Sequence, residues 1–339
     1  MNGLTIKNGK LTQYQGNDEI IIIPDNITSI GKNSFKRNKY IKKVVLPEGV
    51  IAICDYAFQG CENLEELNLP NTLQTIGDGA FQNCTSLTTL CLPDSVTSIG
   101  ALAFNKSASP CDKDGFIIAK NVVYGYYGGK KDIIIPNGVQ EIGQQAFCGN
   151  CNIESVIVPD TVLKINTAAF HGCEKLQHIE FNNGIEVIGA NSFMACRGVK
   201  SITIPKTVTQ IEQGAFSSCH SLESVEMNTS YLELGKYVFF DCINLKKVGL
   251  SDGVTSIPEN TFSNCKNLVE INIPKTVVNI EKNSFWGCEK LEKIYIPDSV
   301  MYINDFAFSY CNKLKIIGNI NSIAHKFCVK RKKKFIVKE

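Results

Sequence analysis

The sequence predicts an α/β repeat solenoid with a parallel β-sheet, short helical turns and β-hairpin insertions. Three observations predict it. A phenylalanine returns at Phe35, Phe58, Phe81, Phe104, Phe147, Phe170, Phe193, Phe216, Phe239, Phe262, Phe285 and Phe308, always 23 residues on except for one step of 43. The residues before each phenylalanine alternate apolar and polar, then stop at a proline. Residues 115–147 repeat the pattern of residues 3–35 at a constant offset of 112. A period this short marks stacked supersecondary units. None can bury its apolar side alone, and stacking joins those sides into one core.

The elements follow in order. Residues 3–35 begin GLTIKNGKLTQYQGNDEIIIIP, two short strands around the turn pair Asn8-Gly9, which lead into the first sheet strand. A clean rung is Leu64 to Phe81. Leu67 and Leu69 flank a polar residue, the period-two pattern of a strand, and Pro70 ends it. Leu73 and Ile76 form a second short extended piece closed by Gly77, and Ala80-Phe81 to Cys84 has the spacing of one helical turn. The 20-residue excess between Phe104 and Phe147 is a second hairpin, with Gly115, Ile118, Tyr126 and Gly128 matching Gly3, Ile6, Tyr14 and Gly16.

The layout is therefore a capping hairpin over 1–23, four rungs over 24–107, a hairpin insert over 108–132, eight rungs over 133–318, and a contracted repeat with a basic cap over 319–339. One continuous core is expected. Asn182, Asn228 and Ser251 replace the usual proline, and Tyr231–Leu234 replaces the usual valine and isoleucine, so those rungs should be irregular. The last copy keeps Ile320, Ile323 and Phe327-Cys328 at shortened spacing.

Fifteen cysteines suggest a disulfide scaffold until they are placed on the repeat. Cys61, Cys84, Cys173, Cys196, Cys219, Cys242, Cys265, Cys288 and Cys311 each follow a repeat phenylalanine by three residues. Asn38, Ser107 and Asn150 fill the same column elsewhere. All three residue types can hydrogen-bond a tight turn. The column reads as a buried structural ladder, and parallel side chains argue against disulfides. Free thiols fit a reducing compartment.

The motif I-P-x-x-V-x-x-I-G-x-x-A-F-x-x-C-x-x-L stands here as Ile204-Pro205, Val208, Ile211, Ala215-Phe216, Cys219 and Leu222. It resembles the BspA-like class of the leucine-rich repeat family, over nearly the whole chain. The resemblance implies a curved, right-handed solenoid whose concave sheet face binds partners. On that face the candidates are Glu66, Thr89, Ser155, His178, Glu180, Ser201, Thr203, Ser224, Glu226, Lys247, Glu270, Asn272, Lys293 and Tyr295. A flat face of mixed charge suits a protein or a glycan better than a small molecule, which prefers a deep apolar pocket. The resemblance also implies a rival reading, because members of that class are often surface adhesins binding host or matrix ligands.

Other features are weaker. The basic tail, with Arg331, Lys332 and Lys333 at its centre, could meet nucleic acid or a membrane surface; shielding of the last sheet edge is the simpler reading. Tyr124, Tyr126 and Tyr127, among Gly125, Gly128 and Gly129, read as a turn with an exposed aromatic patch. Cys148-Gly149-Asn150-Cys151 lacks the second cysteine pair of a zinc site. His171, Cys173 and His178 are scattered over a turn and a strand. No nucleophile, base and orienter recur on one rung, so no enzyme activity and no cofactor are expected. The net charge of +2 gives no general attraction to polyanions. The start shows no signal-peptide pattern and the longest apolar runs are strand-sized, so a cytoplasmic monomer is expected, or a surface or secreted protein if the chain is a fragment or leaves by another route.

Overall fold

The computed structural model describes residues 3–87, 90–107 and 112–338. It divides into two compact units, Met1–Gly129 with Gly143–Ala146, and Lys130–Ile142 with Phe147–Glu339.

The first unit opens with the antiparallel hairpin of Leu4–Lys7 and Lys10–Tyr14. Asn8 and Gly9 both have positive φ, 49° and 72°, as a two-residue turn of this hand requires. The second hairpin strand then runs parallel to Ser29–Ile30, followed by Ala52–Ile53, Thr75–Ile76 and Ser98–Ile99. A separate parallel sheet joins Ile20–Ile22, Lys43–Val45 and Glu66–Asn68. The hairpin of Phe116–Ala119 and Val122–Tyr126 repeats the first, down to the register shift at Ile117/Ile118 that matches Thr5/Ile6. Its turn is Lys120-Asn121, again with positive φ at both residues.

In the second unit the longer strands pair in parallel as Asp132–Ile134, Ser155–Val158 and His178–Phe181. They pair again as Ser201–Ile204, Ser224–Met227, Lys247–Gly249 and Glu270–Asn272. The two-residue strands run from Glu141–Ile142 to Glu233–Leu234, and a new run begins at Ser256–Ile257. Among the described residues a single bridge, Leu232 with Val254, spans that break. It falls where Ser251 and the Tyr231–Leu234 variant were expected to disturb the rungs. The hydroxyls of Thr229 and Ser251 bond each other there at 2.9 Å, in the interior.

The third side of each rung is a run of tight turns. The residues two before and two after each repeat phenylalanine are left-handed, as at Asn191 (φ 53°) and Ala195 (φ 60°), at every such position except Phe306. Alternating handedness sends successive N–H groups in alternate directions. Tyr56, Phe58 and Gly60 donate to the carbonyls of Asp78, Ala80 and Gln82 on the next rung, while Ala57, Gln59 and Cys61 close turns on Cys54, Tyr56 and Phe58. The turns thus form a third hydrogen-bonded ladder, which satisfies the backbone without a helix. The phenylalanine rings stack within each unit at centroid distances such as 4.9 Å for Phe35–Phe58 and 5.1 Å for Phe170–Phe193, with planes 3° and 5° apart.

The cysteine column is buried, and each of the nine thiols donates to the carbonyl of the phenylalanine 26 residues earlier. The distances run from 2.9 Å at Cys311–Phe285 to 3.2 Å at Cys242–Phe216. Asn38 fills the column by donating to the Gly16 carbonyl and accepting from the Tyr40 and Ile41 N–H groups; Ser107 donates to the carbonyl of Phe104. Burial drives the Cys61, Cys173 and Cys219 thiols up to about 12, because a thiolate there would lose its solvation.

The chain ends differently from the contracted rung expected. Ile323–Arg331 is an α-helix, capped at its start by the Ser322 hydroxyl accepting from the His325 N–H at 3.2 Å. A capping serine followed by a run without glycine or proline suits a helix. Phe327 meets Phe308 edge-on at 5.8 Å, so the parallel ring stack stops there. Lys334–Val337 then adds a parallel strand to Lys315–Gly318.

Candidate binding surface

Strands such as Ser201–Ile204, Ser224–Met227 and Glu270–Asn272 bury every second side chain. Ile202, Val225 and Ile271 fill the core, while Ser201, Thr203, Glu226, Glu270 and Asn272 stand exposed. Glu66, His178, Glu180, Lys247 and Lys293 are exposed too; Ser155, Ser224 and Tyr295 are half-buried. Thr89 lies outside the described residues.

Parallel register sorts these side chains into columns. Ser201, Ser224, Lys247 and Glu270 form one; Thr203, Glu226, Gly249 and Asn272 form its neighbour. Ser155 pairs with His178, and Ile157 with Glu180, in a separate sheet. Lys293 and Tyr295 stand beside Lys315 and Ile317 in another. Rungs lie about 4.8 Å apart in such ladders, close enough for charges on successive rungs to meet. Lys247 contacts Glu270 at 3.1 Å and Lys43 contacts Glu66 at 2.6 Å. Lys131–Glu154 at 2.8 Å and Lys246–Glu223 at 2.7 Å repeat the device one column over. Pairs this exposed add little stability, but they neutralise part of the face. Glu180, Glu226 and Lys293 have no ion-pair partner among the described residues.

The other candidates fare differently. The tail is folded back onto the protein. Lys330 meets Asp305 at 2.8 Å, Arg331 lies 5.7 Å over the Phe306 ring, and Lys333 donates to the Cys311 carbonyl at 3.2 Å. Lys332 is the left-handed C-cap of the helix, and Lys338 sits 4.5 Å over the Tyr295 ring. The aromatic patch needs correction. Tyr126 is buried against Phe116 at 4.8 Å, and only Tyr127 is exposed, with Tyr124 half-buried. The glycines do not turn the hairpin. A Cβ on Gly128 would lie 2.5 Å from the Tyr126 hydroxyl, and one on Gly16 would lie 2.2 Å from that of Tyr14.

Cys151 is exposed, whereas burial pushes the half-buried Cys148 thiol up, away from the reactive thiolate. The Cys173 thiol is held by the Phe147 carbonyl. Among the described residues no three His, Cys, Asp or Glu side chains are grouped to hold a metal, and no helix is long and apolar enough to cross a membrane.

Sequence reasoning passed over the last rung. Met301, Tyr302, Phe306 and Tyr310 are all exposed there. The signal was present: the column of Tyr310 holds only Gly, Ala, Asn, Ser, Asp, Lys or Arg in the other rungs.

Comparison with known proteins accords with this architecture. The family model described as the BspA type leucine rich repeat region matches in six copies, at residues 9–111, 117–246 and 232–327. Among solved structures, a leucine-rich repeat protein from Bacteroides ovatus is 25% identical at a TM-score of 0.61, covering 98% of this chain and 94% of its own. Another from Eubacterium ventriosum is 19% identical at a TM-score of 0.57, covering 89% and 88%, a likeness of fold alone. No curated protein matches. With the repeat matched along most of its length, the chain belongs to the BspA-type leucine-rich repeat family.

Proposed function

We propose that this chain is a non-catalytic scaffold that binds another protein through the exposed face of its longer strands. One observation carries the reading. Thr203, Glu226 and Asn272 stand in a single exposed column on strands whose alternate residues make the core. The fold needs the buried members of those strands and does not need the exposed ones. Polar side chains repeated on successive rungs fit a macromolecular surface, protein or glycan, better than a small molecule, which prefers a deep apolar pocket. The unpaired Glu180 and Glu226 favour a partner with a basic patch. Unbridged thiols suit a reducing compartment, so the native cytosol is the first place to look.

The test is affinity capture from the native cell lysate, comparing the wild type with a Glu180→Lys, Glu226→Lys double variant and with His171→Ala on the turn side. The reading expects a stoichiometric protein partner, lost at least tenfold with the double variant and retained with His171→Ala. A partner retained by the double variant would refute it.

A further inference from the structure

The last rung departs from the repeat on its outer side. Where Tyr310 stands, other rungs carry small, polar or basic residues; where Tyr302 stands, they carry mostly Ser, Thr, Glu, Gln or Asn. Met301 is 73% exposed and Phe306 52%, although the capping helix is already seated beside them, while Tyr310 meets Trp286 edge-on at 5.1 Å. Covering the end of the core therefore does not explain them. Exposed apolar side chains gathered in one place mark a contact surface.

Between the last rung and the helix lies a cleft of about 430 Å³. Buried Ile303 and Phe327 line it together with exposed Met301 and Phe306, and Lys326 and Lys330 are at its edge. Its one carboxylate, Asp305, is already bonded to Lys330, whose ammonium holds that carboxyl below its usual range. Lys326 has no carboxylate partner among the described residues, and the neighbouring Arg331, over the Phe306 ring, makes no ion pair there though its charge also helps to lower the Asp305 carboxyl. The cleft is thus apolar inside and positive at its rim, and complementary matter is apolar with negative flanks.

We propose that this cleft binds a short acidic peptide segment of a partner protein. One large apolar side chain enters between Met301 and Phe306, and flanking carboxylates pair with Lys326 and Arg331. A concave opening favours an inserted side chain over a bilayer, which presents a continuous surface and cannot enter a cleft. The site is separate from the strand face and does not depend on that face's function.

Fluorescence anisotropy with labelled nonapeptides tests this. The peptides carry one central Leu, Phe or Trp between glutamates, or between lysines. Phosphatidylserine-containing vesicles and sedimentation of the protein alone complete the set. Glutamate peptides should bind, more weakly as salt rises. Binding should fall at least tenfold in Met301→Glu and in the Lys326→Glu, Arg331→Glu double variant, and should persist in the Glu180→Lys, Glu226→Lys variant. All these positions are exposed, and unchanged circular dichroism melting of each variant confirms that the fold survives. The proposal is overturned if glutamate peptides bind no better than lysine peptides, if vesicles bind and peptides do not, or if Met301→Glu instead abolishes self-association.

Discussion

Cys196 has no exposed surface, and its thiol reaches the Phe170 carbonyl at 3.1 Å. Replacing it with leucine adds volume to a packed column and removes that bond. We expect Cys196→Leu to destabilise by about 1–3 kcal/mol, read as a lower urea midpoint; a neutral result would place the column outside the core. Another column carries the opposite expectation. Ser34, Ser192 and Ser284 stand just before a repeat phenylalanine, and their buried hydroxyls have no partner among the described residues, whereas Ala57, Ala80 and Ala169 fill that column elsewhere. Ser192→Ala should therefore stabilise by about 1 kcal/mol, since it removes an unsatisfied buried polar group. The thiols also set a pH dependence. Apart from Cys311, whose thiol is lowered by its contact with Cys288, the folded values of the column lie above the ordinary thiol value of about 8.5, reaching about 12 at Cys61, Cys173 and Cys219. A raised folded value gives stability that is complete below the unfolded value and is lost as pH climbs through the folded one. The urea midpoint should accordingly hold up to about pH 8.5 and fall steadily toward about pH 12.

At the scale of elements, what could be read from sequence depended on whether a column repeats. Leu67 and its equivalents point inward as alternation requires, and the Asn8-Gly9 turn sits where turn chemistry places it. The left-handed turns were written in the sequence too, through Gly60, Gly79, Asn83, Gly149, Gly172 and Asn264 beside the phenylalanines. A helical spacing from Phe81 to Cys84 is equally compatible with a turn, so spacing alone could not choose. The burial of Tyr126 was hidden by a bulge. Ile117 faces Gly125 and Ile118 faces Val123, which leaves Tyr124 as the extra residue and breaks the alternation around it. The C-terminal helix escaped because a contracted repeat was sought where a cap stands. Its anchor is Ser322, and Ser322→Ala should cost about 1 kcal/mol. Faster amide exchange at Lys326 and His325 would report the frayed first turn, while exchange at Ile202 stays unchanged.

At the scale of the whole molecule, stability within each unit is a sum of rungs and of contacts between neighbouring rungs. The thiol bonds link residues 26 positions apart and the strand-face ion pairs residues 23 apart, one rung to the next. Such an array leaves its outward columns free to vary, which is why composition and repeat established the family while the strand face could be named only as a class of site. The tail illustrates the same point from the other side: its run of basic residues allowed a polyanion partner, with shielding of the last sheet edge the simpler reading, and in the folded cap Lys330, Lys333 and Lys338 are engaged within the protein.

The most direct test of the strand-face account is site-specific photocrosslinking in the native cell. A benzophenone side chain would be placed at Thr203 on the exposed strand column, and separately at His171 on the turn side. The account predicts one discrete crosslinked partner from Thr203 and none from His171. The same partner trapped from His171 alone would contradict it.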